Sequence, residues 1–353
     1  MRAYKPHPTL QYAQVDVDGR VLWLPTPRID GFQIGTDRPM PDNVGCITPH
    51  DQMRVEPEMV TITTDDAVVE RVWFKKGVTV RANRVRLEDC FINQNTAGAS
   101  GTKTTKNPEG NHVGIDTNHV GYHDTVVERC SVVPNDPEVL CYGVIGSYTT
   151  TIGCYFAEGW TDDVNWQSNG SVSGACHSIG DYFSPEVYDS DPDQNGGRSH
   201  SDCIQVANGW GHTVLGSHMA AVPGDAYSHG MVIGPYAAGG IGGISVKSSW
   251  FSGGGAQFSA WANGSTDKVP TIPGLTLIGN RHDAAGCLND LQGGVYCPQT
   301  ILLNPETWMA SRERIVNNVQ INPCTPATGT PYGSGSTPTN PVPAFIYVAK
   351  LNW

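Results

Sequence analysis

Two polar side chains near the middle of the chain have the spacing needed for acid–base chemistry. His200 and Asp202 are two residues apart, so on a regular β-strand they point to the same face. A carboxylate beside an imidazole can hold or move a proton during bond cleavage. Ile204 and Val206 have the same parity and are apolar, so an outward Asp202 requires a bend near Cys203. The alternative is that both polar groups are hydrogen-bonded inside a turn and set its shape.

Other carboxylates come at comparable places in the sequence pattern. Asp116 follows a short apolar run, and Asp162 and Asp163 lie between two tryptophans. Two carboxyl groups about 5 to 9 Å apart supply the acid and the base or nucleophile of glycoside hydrolysis. The candidate catalytic residues are therefore Asp116, Asp163, His200 and Asp202. For any single loop aspartate, capping a turn is the simpler interpretation.

Three tryptophans and three aspartates are the remaining candidates, for sugar binding and for calcium binding. Trp160, Trp166 and Trp210 lie near the candidate carboxylates, where a flat indole ring can stack on a sugar. Alternating carboxylates, as in a calcium loop, occur at Asp189, Asp191 and Asp193. The glycine and glutamate of an EF-hand are missing, so this segment predicts either a looser Ca²⁺ site or a solvated turn. The histidines lack zinc-site spacing, so no other cofactor and no catalytic metal is predicted.

The composition favours an all-β chain and excludes two classes of partner. There are 41 glycines and 25 prolines, and only 16% of the residues are charged, which indicates many turns. A net charge of −12 without a basic run argues against nucleic acid. No apolar stretch of about 18 residues occurs, so no membrane span is predicted. The ten cysteines form no C-x-x-C pair, and we expect buried free thiols.

An internal repeat organises the chain from about residue 60 onward. Its unit is an apolar residue, two variable positions, a small polar residue and then large apolar residues, and it recurs at intervals of about 20 to 40 residues. A repeat of this length is typical of a solenoid in which each coil buries the edge of the previous one. The small polar positions are expected to form one interior column: Cys90, Cys130, Cys154, Cys176, Ser217, Ser249 and Asn280.

The repeat, the short strands of Val60–Ile92 and the segment Ser199–Val206 together resemble the pectate-lyase-like superfamily of parallel β-helix proteins from bacteria and phages. Many of these proteins have a His-x-Asp-Gly-Ile-Gln signature, in which Cys203 replaces the glycine here. The likeness covers roughly residues 30 to 320. It implies an all-β, single-stranded right-handed parallel β-helix and adds Gln205 to the candidate substrate-binding residues. It does not imply one reaction, because this scaffold hosts lyases, hydrolases, epimerases and adhesins.

Three parts of the chain are predicted on this basis. Residues 1–58 are expected to form an N-terminal arm and a cap over the first open coil, and residues 59–322 the β-helix. Residues 323–353 are expected to form a linker rich in Pro, Thr and Gly, followed by a terminal strand. A strand after a linker suggests docking onto another surface, which the sequence does not identify.

The N-terminus has basic residues but lacks the apolar segment of a secretory signal. A polysaccharide-directed β-helix without such a signal resembles a phage tailspike or minor tail protein, made in the host cytoplasm and carried in the virion tail. The resemblance implies a homotrimer that binds, and in one version depolymerises, host surface polysaccharide, and that joins other tail proteins through its N-terminal arm. Two alternatives stay open. One is a purely structural or adhesive virion protein, and the other is a secreted bacterial polysaccharide lyase or glycoside hydrolase.

Overall fold

The computed structural model describes most of the 353 residues. The described residues are 12–17, 20–25, 34–93, 113–135, 142–167, 174–187, 199–223, 225, 228–234, 240–254, 256–260, 272–283, 289–291, 294–296, 299–303, 305–321 and 346–348.

Three parallel sheets form the body, and the chain visits them in the fixed cycle sheet 1, sheet 2, sheet 3. Sheet 1 has ten strands, sheet 2 has nine and sheet 3 has ten. Each coil of the chain therefore adds one strand to each sheet and stacks on the coil before it. The fold is a right-handed parallel β-helix, which confirms the predicted fold class.

The strands are short, as expected when a turn follows every few residues. Those of sheet 1 are Val60–Ile62, Val78–Val80, Val113–Asp116, Tyr142–Gly146, Asp162–Trp166, Ser201–Val206, Ser228–Ile233, Ala256–Ala260, Gln299–Leu303 and Ile346–Val348. Those of sheet 2 are Val68–Glu70, Arg86–Glu88, Thr125–Glu128, Thr149–Ile152, His177–Ile179, Thr213–Leu215, Ser245–Lys247, Thr276–Ile278 and Ile315–Val316. Those of sheet 3 are Arg54–Glu56, Val72–Phe74, Phe91–Ile92, Ser131–Val132, Tyr155–Phe156, Tyr182–Phe183, His218–Ala220, Trp250–Ser252, Arg281–Asp283 and Val319–Ile321.

The remaining elements are small. Tyr12–Val17 pairs with Arg20–Pro25, and Asn289–Leu291 pairs with Gly294–Tyr296, both in antiparallel hairpins. Gly209–Trp210 pairs in parallel with Ile241–Gly242. Pro305–Ser311 is an α-helix, and His50–Gln52 and Arg312–Arg314 are 3₁₀ turns.

The core lies inside the three sheets and is built of columns in which like residues stack. In sheet 1 one such column reads Val78, Ile115, Val144, Val164, Ile204, Met231, Phe258 and Ile301, and every member is buried. In sheet 3 the rings of Phe156 and Phe183 stack with their centroids 4.9 Å apart. Removing this apolar surface from water is the main favourable contribution to folding.

A second, polar column follows the turn from sheet 2 to sheet 3. The residue before each member has a left-handed backbone, for example Arg129 at φ 49° and Gly180 at φ 64°. So sharp a turn takes the next N–H out of the sheet ladder, and a buried N–H needs a partner. The side chain in the following coil provides one, since Asp181 Oδ1 accepts from Cys154 N at 2.7 Å and Ser217 Oγ from Asp181 N at 3.2 Å.

The predicted interior column is confirmed for six of its seven members and wrong for Cys176. Cys176 precedes the strand His177–Ile179 and lies at its opposite end, where its N–H donates to His212 Nδ1 at 3.0 Å. Asp181 occupies the place assigned to Cys176, between Cys154 and Ser217. Burial raises the pKa of Asp181 to about 6, although hydrogen bonds from neighbouring coils oppose the rise.

The axial segment, residues 34–50, runs along the outside of this turn, antiparallel to the order of the coils. Near its start Gly35 accepts from Arg281, and Pro39 O lies 2.9 Å from His218 Nδ1. Further along, Gly45 N donates to Gly153 O at 2.8 Å. These contacts place the segment across six coil steps of sheet 3, from the coil of Arg281 back to that of Phe91.

Two predicted boundaries need correction. Residues 34–50 run along the side of the solenoid, and Arg54–Glu56 already pairs in sheet 3, so the stack begins before residue 59. The terminal strand Ile346–Val348 pairs with Gln299–Leu303 and becomes the last strand of sheet 1. It therefore docks onto this chain's own solenoid.

We predict that Asp89 holds the far end of the axial segment in place. Its Oδ1 accepts from Ile47 N at 2.6 Å and Thr48 N at 3.1 Å, and its Oδ2 from the Thr48 hydroxyl at 2.6 Å. Asp89→Gly keeps the left-handed backbone and removes these bonds, so it should lower the free energy of unfolding by about 2 kcal/mol. It should also speed thermolysin cleavage within residues 34–53. Asp66→Gly is the matched control, because Asp66 is also left-handed but its carboxylate bonds to exposed Arg84 and, within the described residues, not to the axial segment. Equal cleavage of both variants would contradict the prediction.

Candidate active site

Three consecutive coils of sheet 1 bring four polar side chains together. Asp162, Asp202 and His229 are direct neighbours in the register of the strands Asp162–Trp166, Ser201–Val206 and Ser228–Ile233. His200 immediately precedes the middle strand. Because neighbouring strands lie about 4.8 Å apart, residues far apart in the sequence become adjacent here.

The carboxylate–imidazole cluster consists of His200, Asp202 and His229. His229 Nδ1 lies 3.0 Å from Asp202 Oδ1, and His200 Nδ1 lies 3.1 Å from Asp202 Oδ2. The two rings are tilted, with centroids 4.7 Å apart. The Asp202 side chain is fully buried, whereas those of His200 and His229 are 26% and 12% exposed. The imidazoles therefore form the accessible surface of the cluster.

The strand bends where the sequence required it. Cys203 and Ile204 are consecutive, yet both belong to the hydrophobic core. Regular alternation would send one of them outward. Because of the bend, the Asp202 side chain lies outside the apolar core, although it is buried, while Ile204 and Val206 remain in the core.

The charges of the cluster follow from its contacts. Burial raises the pKa of Asp202, but the charge of His200 and the hydrogen bond from His229 outweigh it, so the pKa is lowered. Burial lowers the pKa of His200, but the Asp202 carboxylate raises it further, to about 9. Burial also lowers the pKa of His229, and here the contact with Asp202 does not reverse the shift. At neutral pH the cluster is an imidazolium, a carboxylate and a neutral imidazole.

Asp162 supports the cluster from the preceding coil. Its Oδ1 accepts a hydrogen bond from Asp202 N at 3.1 Å and so fixes the backbone of Asp202. Burial, and then the negative charge of Asp202, raise the pKa of Asp162 well above its ordinary value. Two stacked aspartates are tolerated because only one of them is ionised.

Asp163 points the other way. It is fully buried and lies one coil from Gly143, where a Cβ would come within 2.4 Å of Asp163 O and 3.0 Å of the Phe156 ring inside the solenoid. Burial and the adjacent Asp162 raise the pKa of Asp163 well above its ordinary value, with only the backbone of Ser184 opposing. The sequence-based choice of Asp163 is therefore replaced by Asp162, which lies beside Asp202.

Asp116 is not part of the cluster. It is aligned with Asn165 and Gln205 and lies three coils below Gln205, which is about 14 Å at the usual strand spacing. Its Oδ1 accepts from Asn118 N at 3.0 Å, and its Oδ2 lies 3.2 Å from His119 Nε2. These contacts are those of an aspartate that caps a turn.

Two of the three candidate tryptophans cannot stack on a sugar. Trp160 and Trp166 are among the largest fully buried side chains, and Trp166 stacks on His212 with centroids 5.2 Å apart. Trp210 is 39% exposed. It lies against Gly242, where a Cβ would come within 2.5 Å of the indole, so the missing side chain lets the ring lie across the next coil.

Gln205 is partly exposed on sheet 1, where its Oε1 accepts from Asn165 Nδ2. The calcium candidates Asp189, Asp191 and Asp193 lie outside the described residues. His229 was missed from the sequence because no local motif marks it. Its position 27 residues after Asp202, one coil on, is the signal that could have revealed it.

No family model, no curated protein and no solved structure matches this chain. Within the described residues, no helix is long and apolar enough to cross a membrane. The strand topology alone therefore supports the fold. The resemblance to the pectate-lyase-like superfamily and to tailspike proteins stays an expectation.

The geometry suits two kinds of chemistry. Because an ionised carboxylate only accepts hydrogen bonds, His229 Nδ1 carries the hydrogen and Nε2 keeps a free lone pair. A protonated and a neutral imidazole side by side can give and take a proton. The same three residues also place one ligand atom each within 4.8 Å of the others, which is the donor set of a metal site.

We predict that Asp163 makes the protein less stable as the pH rises. Its pKa is raised in the folded state, so the folded protein keeps a proton that the unfolded chain loses above about pH 4. Asp163→Asn keeps the shape but does not titrate. Relative to this variant, the wild-type free energy of unfolding should fall by up to about 1.4 kcal/mol per pH unit above that value.

Urea unfolding at pH 4, 5.5 and 7 measures this difference. Asp124→Asn is the control, because Asp124 is about half exposed and pairs with His123 at the surface. Parallel pH profiles for wild type and Asp163→Asn would show that Asp163 is ionised in the folded protein.

Proposed function

We propose that this protein binds surface polysaccharide across the outer face of sheet 1 and cleaves it at the carboxylate–imidazole cluster. One observation carries the proposal. A single stretch of one coil, residues 200–210, presents His200 in front of the buried Asp202, then the amide of Gln205, then the exposed ring of Trp210. A reactive group, a hydrogen-bonding amide and a flat ring that follow one another along one coil suit an extended sugar chain.

The spacing supports a polymer as the ligand. A β-strand rises about 3.3 Å per residue, so Asp202 and Gln205 are about 10 Å apart. Trp210 lies further along the same coil, at the small pairing with Gly242. A ligand that contacts all three must be several sugar units long.

The imidazoles, and not a pair of carboxylates, are the groups that would contact the glycan. Asp162 and Asp202 are both buried, so they do not form the open pair of an ordinary glycoside hydrolase. His200 and His229 have the exposure that contact requires. Asp202 would orient them from behind, as a carboxylate orients a catalytic histidine in other enzymes.

The biological setting belongs to the same proposal. We infer a phage tail component, a tailspike or minor tail protein, that recognises the glycan of its host. In that setting three copies assemble along their solenoids, and the N-terminal arm joins other tail proteins. The elongated fold and the glycan-type groups on one face support this setting.

A second candidate function is adhesion without cleavage. It is favoured by the complete burial of Asp202 and the ion pair that it forms with His200, since a buried ion pair also serves to hold a turn. Gln205 and Trp210 would then be the functional surface.

We predict that Asp202→Asn abolishes cleavage of purified host-wall polysaccharide while the fold is kept. Loss of the carboxylate removes the charge that orients both imidazoles, so the rate should fall at least about 100-fold. New reducing ends or unsaturated sugars are measured over time, and circular dichroism checks the fold. Asp124→Asn removes a carboxylate from a surface His–Asp pair and should cleave like the wild type.

Trp210→Ala separates binding from cleavage in the same assay. It should weaken retention on immobilised polysaccharide without changing the cluster. No cleavage by the wild type, together with retention that depends on Trp210, would favour adhesion. Full cleavage by Asp202→Asn would remove the cluster as the site.

The oligomeric state distinguishes the tail setting from a free secreted lyase or hydrolase. A tail component should be a trimer by multi-angle light scattering at micromolar concentration. A monomer of about 38 kDa at every concentration would contradict the tail setting and leave the glycan proposal untouched.

A further inference from the structure

The carboxylate–imidazole cluster has the donors of a transition-metal site, which the sequence pattern did not predict. His200, Asp202 and His229 come from two adjacent coils, so no spacing rule of a linear motif applies to them. Two imidazole nitrogens and a carboxylate are ligands that divalent ions of the zinc class accept, whereas Ca²⁺ prefers oxygen alone.

The distances suit a shared ion. Metal bonds to imidazole nitrogen and carboxylate oxygen are about 2.0 to 2.2 Å long, so two ligands at the tetrahedral angle that Zn²⁺ prefers lie about 3.4 Å apart. The two nitrogen-to-oxygen distances in the cluster are 3.0 and 3.1 Å. The ligand atoms of all three residues lie within 4.8 Å of one another.

A second observation points to a ligand at this place. Asp202 is fully buried, and no hydrogen-bond donor among the described residues reaches its Oδ2 with good geometry, although His200 Nδ1 is 3.1 Å away. A buried oxygen that lacks a hydrogen bond is costly, and a cation would remove that cost. Asp162 holds the backbone of Asp202 from behind, as the outer residues of metal sites do.

We propose that His200, Asp202 and His229 bind one divalent transition-metal ion, with Zn²⁺ as the representative. Each Nδ1 gives up its hydrogen, to solvent or, in His229, to Nε2 of the same ring. The partly exposed imidazoles leave the solvent side of the ion open for water or a sugar hydroxyl. The inference rests on the site of the proposed function and supplies the group that would activate water there.

Metal titration of the chelated full-length protein tests the proposal. Calorimetry with Zn²⁺ should show one ion per chain, and Co²⁺ should give visible ligand-field absorption of a site with nitrogen ligands. His200→Ala removes a partly exposed ligand, and His229→Gln removes the other nitrogen. Each should weaken Zn²⁺ binding about tenfold or more. Zn²⁺ should raise the melting temperature of the wild type more than that of either variant.

His123→Ala is the matched control, because His123 also lies beside an aspartate, with Nδ1 2.8 Å from Asp124 Oδ2, but forms no three-residue ligand group with the other described residues. It should bind Zn²⁺ like the wild type. No stoichiometric binding, or wild-type affinity in both ligand variants, would overturn the proposal. Loss of binding in Asp189→Ala instead would place the ion at the acidic segment that contains Asp189. Cleavage that survives chelation but not Asp202→Asn would overturn the metal and keep the proposed function. Zn²⁺ bound by the cluster without any cleavage would keep the metal site and overturn the proposed cleavage.

Discussion

Strict stacking of one coil on the next is the constraint on which the rest of this structure depends. Parallel register puts each residue about one strand spacing from its counterpart in the coils above and below. Apolar side chains benefit, since each buries the edge of its neighbour, as in the column that contains Val164 and Ile204. For polar groups the same stacking imposes a requirement, because every buried donor or charge needs an acceptor or an opposite charge at the same position of the adjacent coil.

The polar column and the carboxylate–imidazole cluster meet that requirement in two different ways. At the turn after sheet 2, three thiols are followed along the axis by carboxyl, hydroxyl and amide groups, and each of these accepts from a backbone N–H of the preceding coil. At the start of the sheet 1 strands, Asp162 stays neutral so that Asp202 can be charged, and the next coil places His229 opposite it. In both places the residue type in one coil is intelligible only from its neighbours in the adjacent coils.

The dependence of each residue on its neighbours in adjacent coils explains which features could be predicted from the sequence. The repeat was strong enough to predict the fold and six members of the polar column, because small residues at fixed places in each unit leave a visible pattern. Cys176 misled because it is small and weakly polar, whereas its true counterpart, Asp181, is an acid that looks like a surface residue. His200 and Asp202 were recognisable as neighbours in sequence. His229 and the inward turn of Asp163 were not, since both depend on register and on a bend that alternation alone does not encode.

The axial segment gives the solenoid a property that stacking alone would not provide. A repeat protein whose units touch only their neighbours can fray from either end, one unit at a time. Here one stretch of chain is hydrogen-bonded to coils as distant as those of Asp89 and Arg281. A coil cannot slide or rotate against the next without stretching that tether. The molecule should therefore behave mechanically as a splinted rod, stiff to twisting along the tethered side, with its two ends coupled in a single cooperative unit.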